Sequence, residues 1–136
     1  MQSAVLANQS SRTTSWTGRV LSALVVLFMV FDGVIHILAP KPVVDAFAQL
    51  GYPLRLAVGL GILELACTAL YVIPRTSVLG ALLLTGYLGG AIASQVRIEA
   101  GWFPVIFPVI VGALLWTGLA LRDSRVRALV SPERQP

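Results

Sequence analysis

Residues 56–73 read LAVGLGILELACTALYVI, an apolar segment of eighteen residues with a single carboxylate, Glu64, at its midpoint. A helix of about 20 residues rises ~30 Å, the thickness of the hydrocarbon core of a bilayer, so this segment is long enough to cross a membrane. An ionised acid at that depth costs on the order of 2.5–3.5 kcal/mol on insertion scales. We therefore expect a transmembrane helix in which Glu64 is neutral, paired or turned toward a polar cavity.

The composition of the whole chain is that of a membrane protein with a single domain. Of its 136 residues, 57% are hydrophobic and 12% are charged, and the mean hydropathy is +0.84, which is too apolar for an ordinary soluble domain. Lys and Arg total 10 against 6 Asp and Glu. The basic residues lie between apolar segments and form no stripe interleaved with aromatics, so the chain is not expected to bind nucleic acid.

Apolar segments of similar length recur along the chain and predict an all-α fold. We predict four spans, at about residues 20–38, 54–73, 77–96 and 103–121. Together they form an integral membrane four-helix bundle within residues 18–122. Only residues 74–76 separate the second span from the third, so these two must form an antiparallel hairpin. Residues 1–17 are polar and predict a disordered cytoplasmic arm, and residues 123–136 predict a charged cytoplasmic tail.

A shorter amphipathic segment lies between the first and second spans. At residues 43–50 the apolar side chains recur at helical spacing, while Asp45 and Gln49 take the opposite face. Pro40 stops the preceding helix, and Gly51 can end this one. Because the segment is too short to cross a bilayer, we predict an interfacial helix that partly covers the bundle.

Basic residues are distributed unevenly between the two ends of the predicted bundle. Four spans place both termini on one side, together with the connector between the second and third spans. That side carries Arg12, Arg19, Arg75, Arg122, Arg125, Arg127 and Arg134, whereas the other side carries Lys41, Arg55 and Arg97. Since cationic loops are retained in the cytoplasm, we predict that both termini are cytoplasmic.

Ionisable residues on two of the spans are predicted to lie at one depth. Asp32 and His36 are four residues apart on the first span and therefore share a face. Asp32 lies ~20 Å from the start of its helix, and Glu64 lies at mid-depth on a helix that runs the other way. The two acids are thus within about one turn of each other in depth, and they meet if the two spans are neighbours.

Other polar residues can complete a pocket around this pair. Tyr87 lies near mid-depth on the third span, Gln95 lies near its outer end, and Tyr71 continues the polar face of Glu64. We predict two sets of site residues, a catalytic set of Asp32, His36 and Glu64, and a ligand-contacting set of Tyr87, Gln95 and Tyr71.

Two carboxylates in a medium of low dielectric favour one protonated acid and one ionised base. Such a pair suits proton transfer to a quinone or acid–base work on a lipophilic substrate. A purely structural role is the alternative. In that case Asp32 pairs with His36 within one helix, and protonated Glu64 bonds to Tyr87 or to a backbone carbonyl.

Cysteine and histidine are each represented once, by Cys67 and His36. One chain can therefore form no disulfide, no CxxC redox pair, no haem site with two histidine ligands and no histidine cluster for copper. We predict no metal site and no built-in cofactor. Any electron carrier would come from a redox partner protein or be a diffusible quinone.

The third span is rich in small residues, which favours close helix packing. Gly86 and Gly90 form a GxxxG pair, and Ser94 continues the same ridge. We predict that this ridge packs against another helix, and it could form a homo-oligomer. The basic tail is interpreted first as a topology signal, and it could also contact anionic membrane lipids.

Several segments together resemble the DoxX-like family of small bacterial four-helix membrane proteins. They are LGYP at 50–53, ILEL at 62–65, IPRT at 73–76, LGALLLTGYLGGAIASQVR at 79–97 and LLWTGLALRD at 114–123. The resemblance implies a four-helix bundle in the bacterial inner membrane. The family takes its name from a small subunit of an archaeal quinol oxidase or thiosulfate:quinone oxidoreductase, and relatives are linked to membrane redox or thiol-stress complexes. Relatives commonly carry a Thr-His pair where this chain has Ser94 and Gln95.

Three functions are compatible with this pattern. The first is an accessory subunit of a quinone-linked redox complex, with a buried polar pocket for protons and quinone. The second is a free-standing intramembrane acid–base enzyme, such as an isomerase, epoxide hydrolase or cyclase, that acts on a lipophilic isoprenoid-like molecule. The third is a structural or scaffold subunit. Whether the chain is an enzyme stays open at this point.

Overall fold

The computed structural model describes the backbone of residues 2–130 and the side chains of residues 12–129. Every regular element in this part of the chain is an α-helix. In chain order the helices are α1 (Gln2–Leu38), α2 (Lys41–Leu50), α3 (Arg55–Val72), α4 (Ser77–Arg97), α5 (Trp102–Arg122) and α6 (Ser124–Val130). The predicted all-α fold is confirmed.

Four of these helices are long and apolar enough to cross a membrane, at Arg12–Leu38, Arg55–Val72, Ser77–Arg97 and Trp102–Arg122. They differ from the predicted spans mainly at the start of the first. Helix α1 packs against α3 and α5, and α4 packs against the same two helices, so the four form a closed ring with α1 diagonal to α4. We call the end that holds α2 and residues 98–101 the lid end, and the end that holds residues 73–76 and α6 the terminal end.

The first helix is longer than the sequence predicts. Residues 2–17 continue α1, whereas a disordered arm was expected there. This segment contains no Pro or Gly, and a helix already formed by the adjacent span extends without a new nucleation cost. At the other end of the chain, residues 124–130 form the short helix α6. Met1, from the predicted arm, and residues 131–136, from the predicted tail, lie outside the described residues.

The short helix between the first two spans forms as predicted and covers one end of the bundle. Val43 and Phe47 are buried on its inner face, where they pack with Ala57 of α3. Gly51 ends the helix in the left-handed conformation, with φ of 69°, and the Tyr52 N–H donates to the Phe47 carbonyl at 2.9 Å. This is the capping arrangement that glycine favours, and it turns the chain sharply into α3.

Helices α1 and α3 approach each other closely at two glycines. A Cβ on Gly61 would lie 2.5 Å from the Gly33 carbonyl oxygen, and a Cβ on Gly33 would lie 2.8 Å from Leu65 Cγ. A side chain at Gly61 would require a backbone shift, because real Cβ atoms do not approach a backbone oxygen that near, whereas one at Gly33 would require the Leu65 side chain to move. The contact aligns the lid-end half of α1 with the middle of α3, where the predicted site residues lie.

The predicted α3–α4 hairpin is present, and its packing is equally close. A Cβ on Gly80 would lie 2.2 Å from the Tyr71 nitrogen. The largest fully buried side chains lie in the middle of the bundle and toward the terminal end, and they include Met29, Tyr71, Leu84, Leu115 and Leu119. The bundle is thus densely packed at that end, which leaves the lid-end half to hold the site.

Replacement of Gly61 by alanine tests the contact between α1 and α3. We expect Gly61→Ala to destabilise the protein by about 1–3 kcal/mol, the usual cost of overpacking. The measurement is thermal unfolding in detergent. Gly59→Ala is the matched control on the same helix, since a Cβ there meets nothing within 4 Å. Equal unfolding temperatures for the two variants would contradict the close contact.

Candidate functional site

Three ionisable side chains from α1 and α3 meet in the lid-end half of the bundle. His36 Nδ1 lies 3.5 Å from Asp32 Oδ2 and 3.8 Å from Glu64 Oε2. From α4, the Tyr87 hydroxyl donates to Glu64 Oε2 at 2.8 Å. The predicted convergence of Asp32, His36, Glu64 and Tyr87 is therefore present in the structure. It follows from the neighbouring positions of α1 and α3 and from their close contact.

The tautomer of His36 follows from its hydrogen bond. Its Nδ1 lies 2.8 Å from the backbone carbonyl oxygen of Asp32, one turn earlier in α1. A carbonyl can only accept, so Nδ1 carries a proton, and the Nε2 of a neutral ring is then the acceptor. The ring packs edge-on against Phe47 of α2, with centroids 5.9 Å apart. His36 is thus held in orientation from both sides.

Glu64 is the most enclosed member of the cluster. Its side chain is 0% exposed, whereas those of His36 and Asp32 are 20% and 36% exposed. Tyr87 satisfies Oε2, but Oε1 is buried and has no hydrogen-bond partner among the described residues. A buried acceptor without a partner is costly in a membrane interior, where water is scarce. Oε1 can therefore accept from a donor on a ligand or, if it carries a proton, donate to an acceptor on a ligand.

A large apolar cavity of about 810 Å³ lies beside this cluster, bounded by α2, α3 and α4. His36 and Tyr87 line it, so they stand between the cavity and the two carboxylates. Aliphatic side chains and glycines make up most of the wall, including Val43, Leu56, Gly59, Leu60, Leu63, Leu83, Gly86 and Gly90. A volume of this size with few polar groups is typical of a site for a drug-sized lipophilic molecule.

The two outlying predicted residues have different positions. Gln95 lines the cavity near its lid end, together with Ser94, whose hydroxyl lies 2.9 Å from that of Tyr52. Tyr71 does not line the cavity. Its hydroxyl donates to the Leu115 carbonyl at 2.8 Å and lies 3.0 Å from Ser22 Oγ, in the terminal-end core.

The expectation that Tyr71 contacts a ligand beside Glu64 is therefore not met by the geometry. Seven residues of helix place Tyr71 on the same face as Glu64 but ~10 Å deeper toward the terminal end. It consequently meets a different layer of side chains.

Several cavity residues were not singled out from the sequence. They are Tyr52 and the inner face of α2, and also Cys67, which lines the cavity from α3. Two signals were available: the amphipathic spacing of residues 43–50, which predicts a lid, and the three-residue spacing of Glu64 and Cys67, which places them on one helix face.

Asp32, His36 and Glu64 are also the residues that could hold a metal ion in the described part of the chain. Each offers one ligand atom, and these atoms lie within 4.8 Å of one another. The sequence-based prediction of no metal site considered histidine and cysteine clusters and not this mixed set. Oxygen-rich sets with one imidazole suit hard or borderline divalent ions. His36 Nδ1 is the ring nitrogen that approaches both carboxylates, so to bind a metal with them it would have to release its bond to the Asp32 carbonyl.

The small-residue ridge of α4 lies open in this chain. A Cβ on Gly86, Gly89 or Gly90 would meet nothing within 4 Å. No helix of the described chain packs there, so packing of this ridge against a helix of a second copy stays a prediction. Instead these two glycines form part of the cavity wall, because α2 and α3 leave that face of α4 uncovered.

Tyr87→Phe tests the hydrogen bond on Glu64. Removal of the hydroxyl leaves both carboxylate oxygens without a protein donor, so we expect a loss of about 1–3 kcal/mol in stability. Tyr52→Phe is the matched control, because its hydroxyl bonds to Ser94 at an exposed position and its loss should cost less. Chemical or thermal unfolding in detergent gives the comparison. A smaller effect at Tyr87 than at Tyr52 would contradict the buried bond.

Comparison with known proteins identifies the family. The model of the DoxX-like family matches residues 20–118, which is well over half of the chain and includes most of each of the four spans. A search of curated proteins finds no match, and no solved structure matches either. The matched region contains the whole cluster and the cavity beside it. The chain therefore belongs to the DoxX-like family of small membrane proteins.

Proposed function

We propose that the protein binds a lipophilic molecule of the quinone class in the cavity between α2, α3 and α4, as an accessory subunit of a quinone-linked redox complex. The observation that carries the proposal is the position of the cluster of Asp32, His36, Glu64 and Tyr87 at the wall of an apolar cavity of about 810 Å³. The apolar wall suits an isoprenoid tail. As bonded in this structure, His36 Nε2 and the Tyr87 oxygen can each accept a hydrogen bond, so they suit the hydroxyl groups of the reduced form, a quinol.

The hydrogen bonds of the cluster support a role in proton transfer. Tyr87 lines the cavity and bonds to Glu64 behind it, and His36 lies between Glu64 and Asp32. Asp32 is more exposed than Glu64, so it can exchange protons with the outside while Glu64 is kept dry. Conversion of a quinone to a quinol takes up two protons and two electrons. In this proposal the cluster supplies protons, and a redox partner protein supplies the electrons.

The orientation in the membrane is part of the proposal. The excess of arginine at the terminal end supports a cytoplasmic position for both termini, in the bacterial inner membrane. The lid end then faces the opposite side. The cluster lies in that outer half, where Asp32 is its most exposed member.

A leucine at Gly90 tests where the ligand binds. In the wild type we expect a benzoquinone with a decyl tail to raise the unfolding temperature, because a ligand that binds only the folded state stabilises it. Gly90→Leu fills the cavity wall and should weaken quinone affinity about tenfold or more, equivalent to ~1.4 kcal/mol. Gly89→Leu is the matched control, since Gly89 is exposed on the same helix but does not line the cavity.

Two outcomes would count against the proposal. One is a wild-type protein that no quinone stabilises, and the other is an equal loss of affinity in the two leucine variants. Size-exclusion chromatography of the same variants tests the predicted homo-oligomer. If Gly90→Leu alone dissociates an oligomer, the ridge at Gly86 and Gly90 is a subunit contact rather than a ligand wall.

A second function is favoured by a specific observation, the convergence of two carboxylates on His36. One protonated acid can add a proton to an alkene carbon, while one carboxylate removes an allylic proton from the same molecule, and the double bond shifts without net proton uptake. Glu64 and Asp32 are the pair. Because neither lines the cavity, their protons would reach the alkene through Tyr87 and His36. This chemistry would make the protein a free-standing isomerase of isoprenoid-like molecules.

Deuterium exchange separates the two functions. An isomerase should incorporate deuterium from D₂O into the allylic positions of an isoprenoid alkene, as detected by mass spectrometry, and Glu64→Gln should abolish the incorporation. Gln95→Glu is a control that changes charge at the cavity wall without altering the pair. If the alkene stays free of deuterium while quinone binding persists, the isomerase is excluded.

A further inference from the structure

A second pocket, of about 340 Å³, lies at the terminal end of the bundle, far from the candidate site. Arginines from three elements line it: Arg19 of α1, Arg122 at the end of α5 and Arg125 of α6. From the sequence, these arginines indicate membrane topology and, for those in the tail, contact with anionic lipids, but not a shared pocket. Asp123 is the one acid among the lining residues that the structure describes, so the grouping leaves an excess of positive charge, which favours a further anion.

The packing of α1 against α5 brings two of these arginines together. A Cβ on Gly18 would lie 2.7 Å from the backbone nitrogen of Arg122 and 2.7 Å from Leu121 Cβ. Gly18 directly precedes Arg19, so the close helix contact places Arg19 next to the C-terminal end of α5. The pocket is therefore a product of tight helix packing and not of flexible side chains alone.

Arg122 is held in place from inside the bundle. Its Nη2 donates to the Tyr71 carbonyl at 2.8 Å, and its guanidinium carbon lies 4.6 Å from the centre of the Tyr71 ring. Its Nε is buried and has no hydrogen-bond partner among the described residues. The Tyr71 contacts fix the orientation of the guanidinium and use one of its donors. Because Arg122 also lines the pocket, its remaining Nη donors can bind a further acceptor there.

The acid at this pocket neutralises only one of the arginines. Asp123 accepts from the Arg125 side chain at 2.9 and 3.2 Å and from the Arg125 backbone at 2.9 Å. These hydrogen bonds hold the pKa of the Asp123 carboxyl below its ordinary value, so it is ionised at neutral pH. Three arginines minus one aspartate leave a charge of +2 on the lining residues. No other acid lines the pocket within the described chain.

A helix terminus adds to this positive field. Helix α4 begins at Ser77, which lines the pocket and is buried, and no side chain caps that helix end. The unpaired N–H groups and the helix dipole favour an anion there. The arginines and the helix end thus converge on one small space.

We propose that this pocket binds a phosphate group, carried either by an anionic lipid headgroup or by a free phosphate ion. Arg19 and Arg122 supply the charge-assisted hydrogen bonds, and the start of α4 supplies backbone donors. The position at the end of four membrane-spanning helices matches the depth of lipid headgroups. This site is independent of the cavity and of the function proposed for it.

Lipid retention by the purified full-length chain tests the proposal. Native mass spectrometry would compare phosphatidylglycerol with diacylglycerol, which has the same acyl chains but no phosphate. We expect the wild type to prefer phosphatidylglycerol by about tenfold, and Arg19→Gln or Arg122→Gln to remove most of that preference, as expected for loss of a charge-assisted bond. Arg19 is exposed, so its variant keeps the test valid even if Arg122→Gln fails to fold.

Arg55→Gln is the matched control, because it removes one exposed arginine at the lid end. Added inorganic phosphate identifies the source of the group. If it displaces phosphatidylglycerol, or stabilises the lipid-free wild type but not Arg19→Gln, the site takes free phosphate. If it does neither while the lipid preference persists, the site takes the lipid headgroup. Lipid and phosphate binding that are equal in the wild type, Arg19→Gln and Arg55→Gln would overturn the proposal.

Discussion

The approach of α1 to α3 at Gly33 and Gly61 is the contact on which the rest of the structure depends. Between helices in a membrane there is no hydrophobic driving force, so dispersion and polar contacts must hold them together. The absence of two side chains allows the backbones to meet, since a Cβ on Gly61 would lie 2.5 Å from the Gly33 oxygen. Gly33 adjoins Asp32, and Gly61 lies one turn before Glu64. The same few ångströms of packing therefore set the distances within the polar cluster.

Much of this arrangement follows from the sequence by simple measurement. Apolar length predicts the four spans, and rise per residue predicts that Asp32 and Glu64 lie at one depth. The sequence places Tyr71 on the same face of α3 as Glu64, but it does not show which helices pack against that face at each depth. Tyr71 contacts Ser22 and Leu115 and does not line the cavity. It also could not show that Gly86 and Gly90 stay uncovered, because a small-residue ridge looks the same whether a helix or a void lies against it.

The bundle divides into two halves with different packing. Large side chains fill the middle and the terminal end, and Tyr71 links α1, α3 and α5 there through hydrogen bonds and the guanidinium of Arg122. The lid-end half holds a cavity of about 810 Å³ instead. Local stability in proteins is uneven, and ligand sites are drawn from the less stable regions. The densely packed terminal half can therefore keep the helices in register, while the lid-end half has room for a ligand.

The exposed glycines of α4 determine the route by which a ligand would enter the cavity. Gly86 and Gly90 are exposed on the flank of a membrane-spanning helix while they also line the cavity. A molecule dissolved among the acyl chains can enter the cavity laterally past these glycines, without leaving the bilayer for water. Its effective concentration is then its mole fraction in the lipid, which is high for any strongly hydrophobic compound. Even a shallow, weakly selective cavity would be filled under such conditions, and discrimination would have to come from the polar groups at its inner wall.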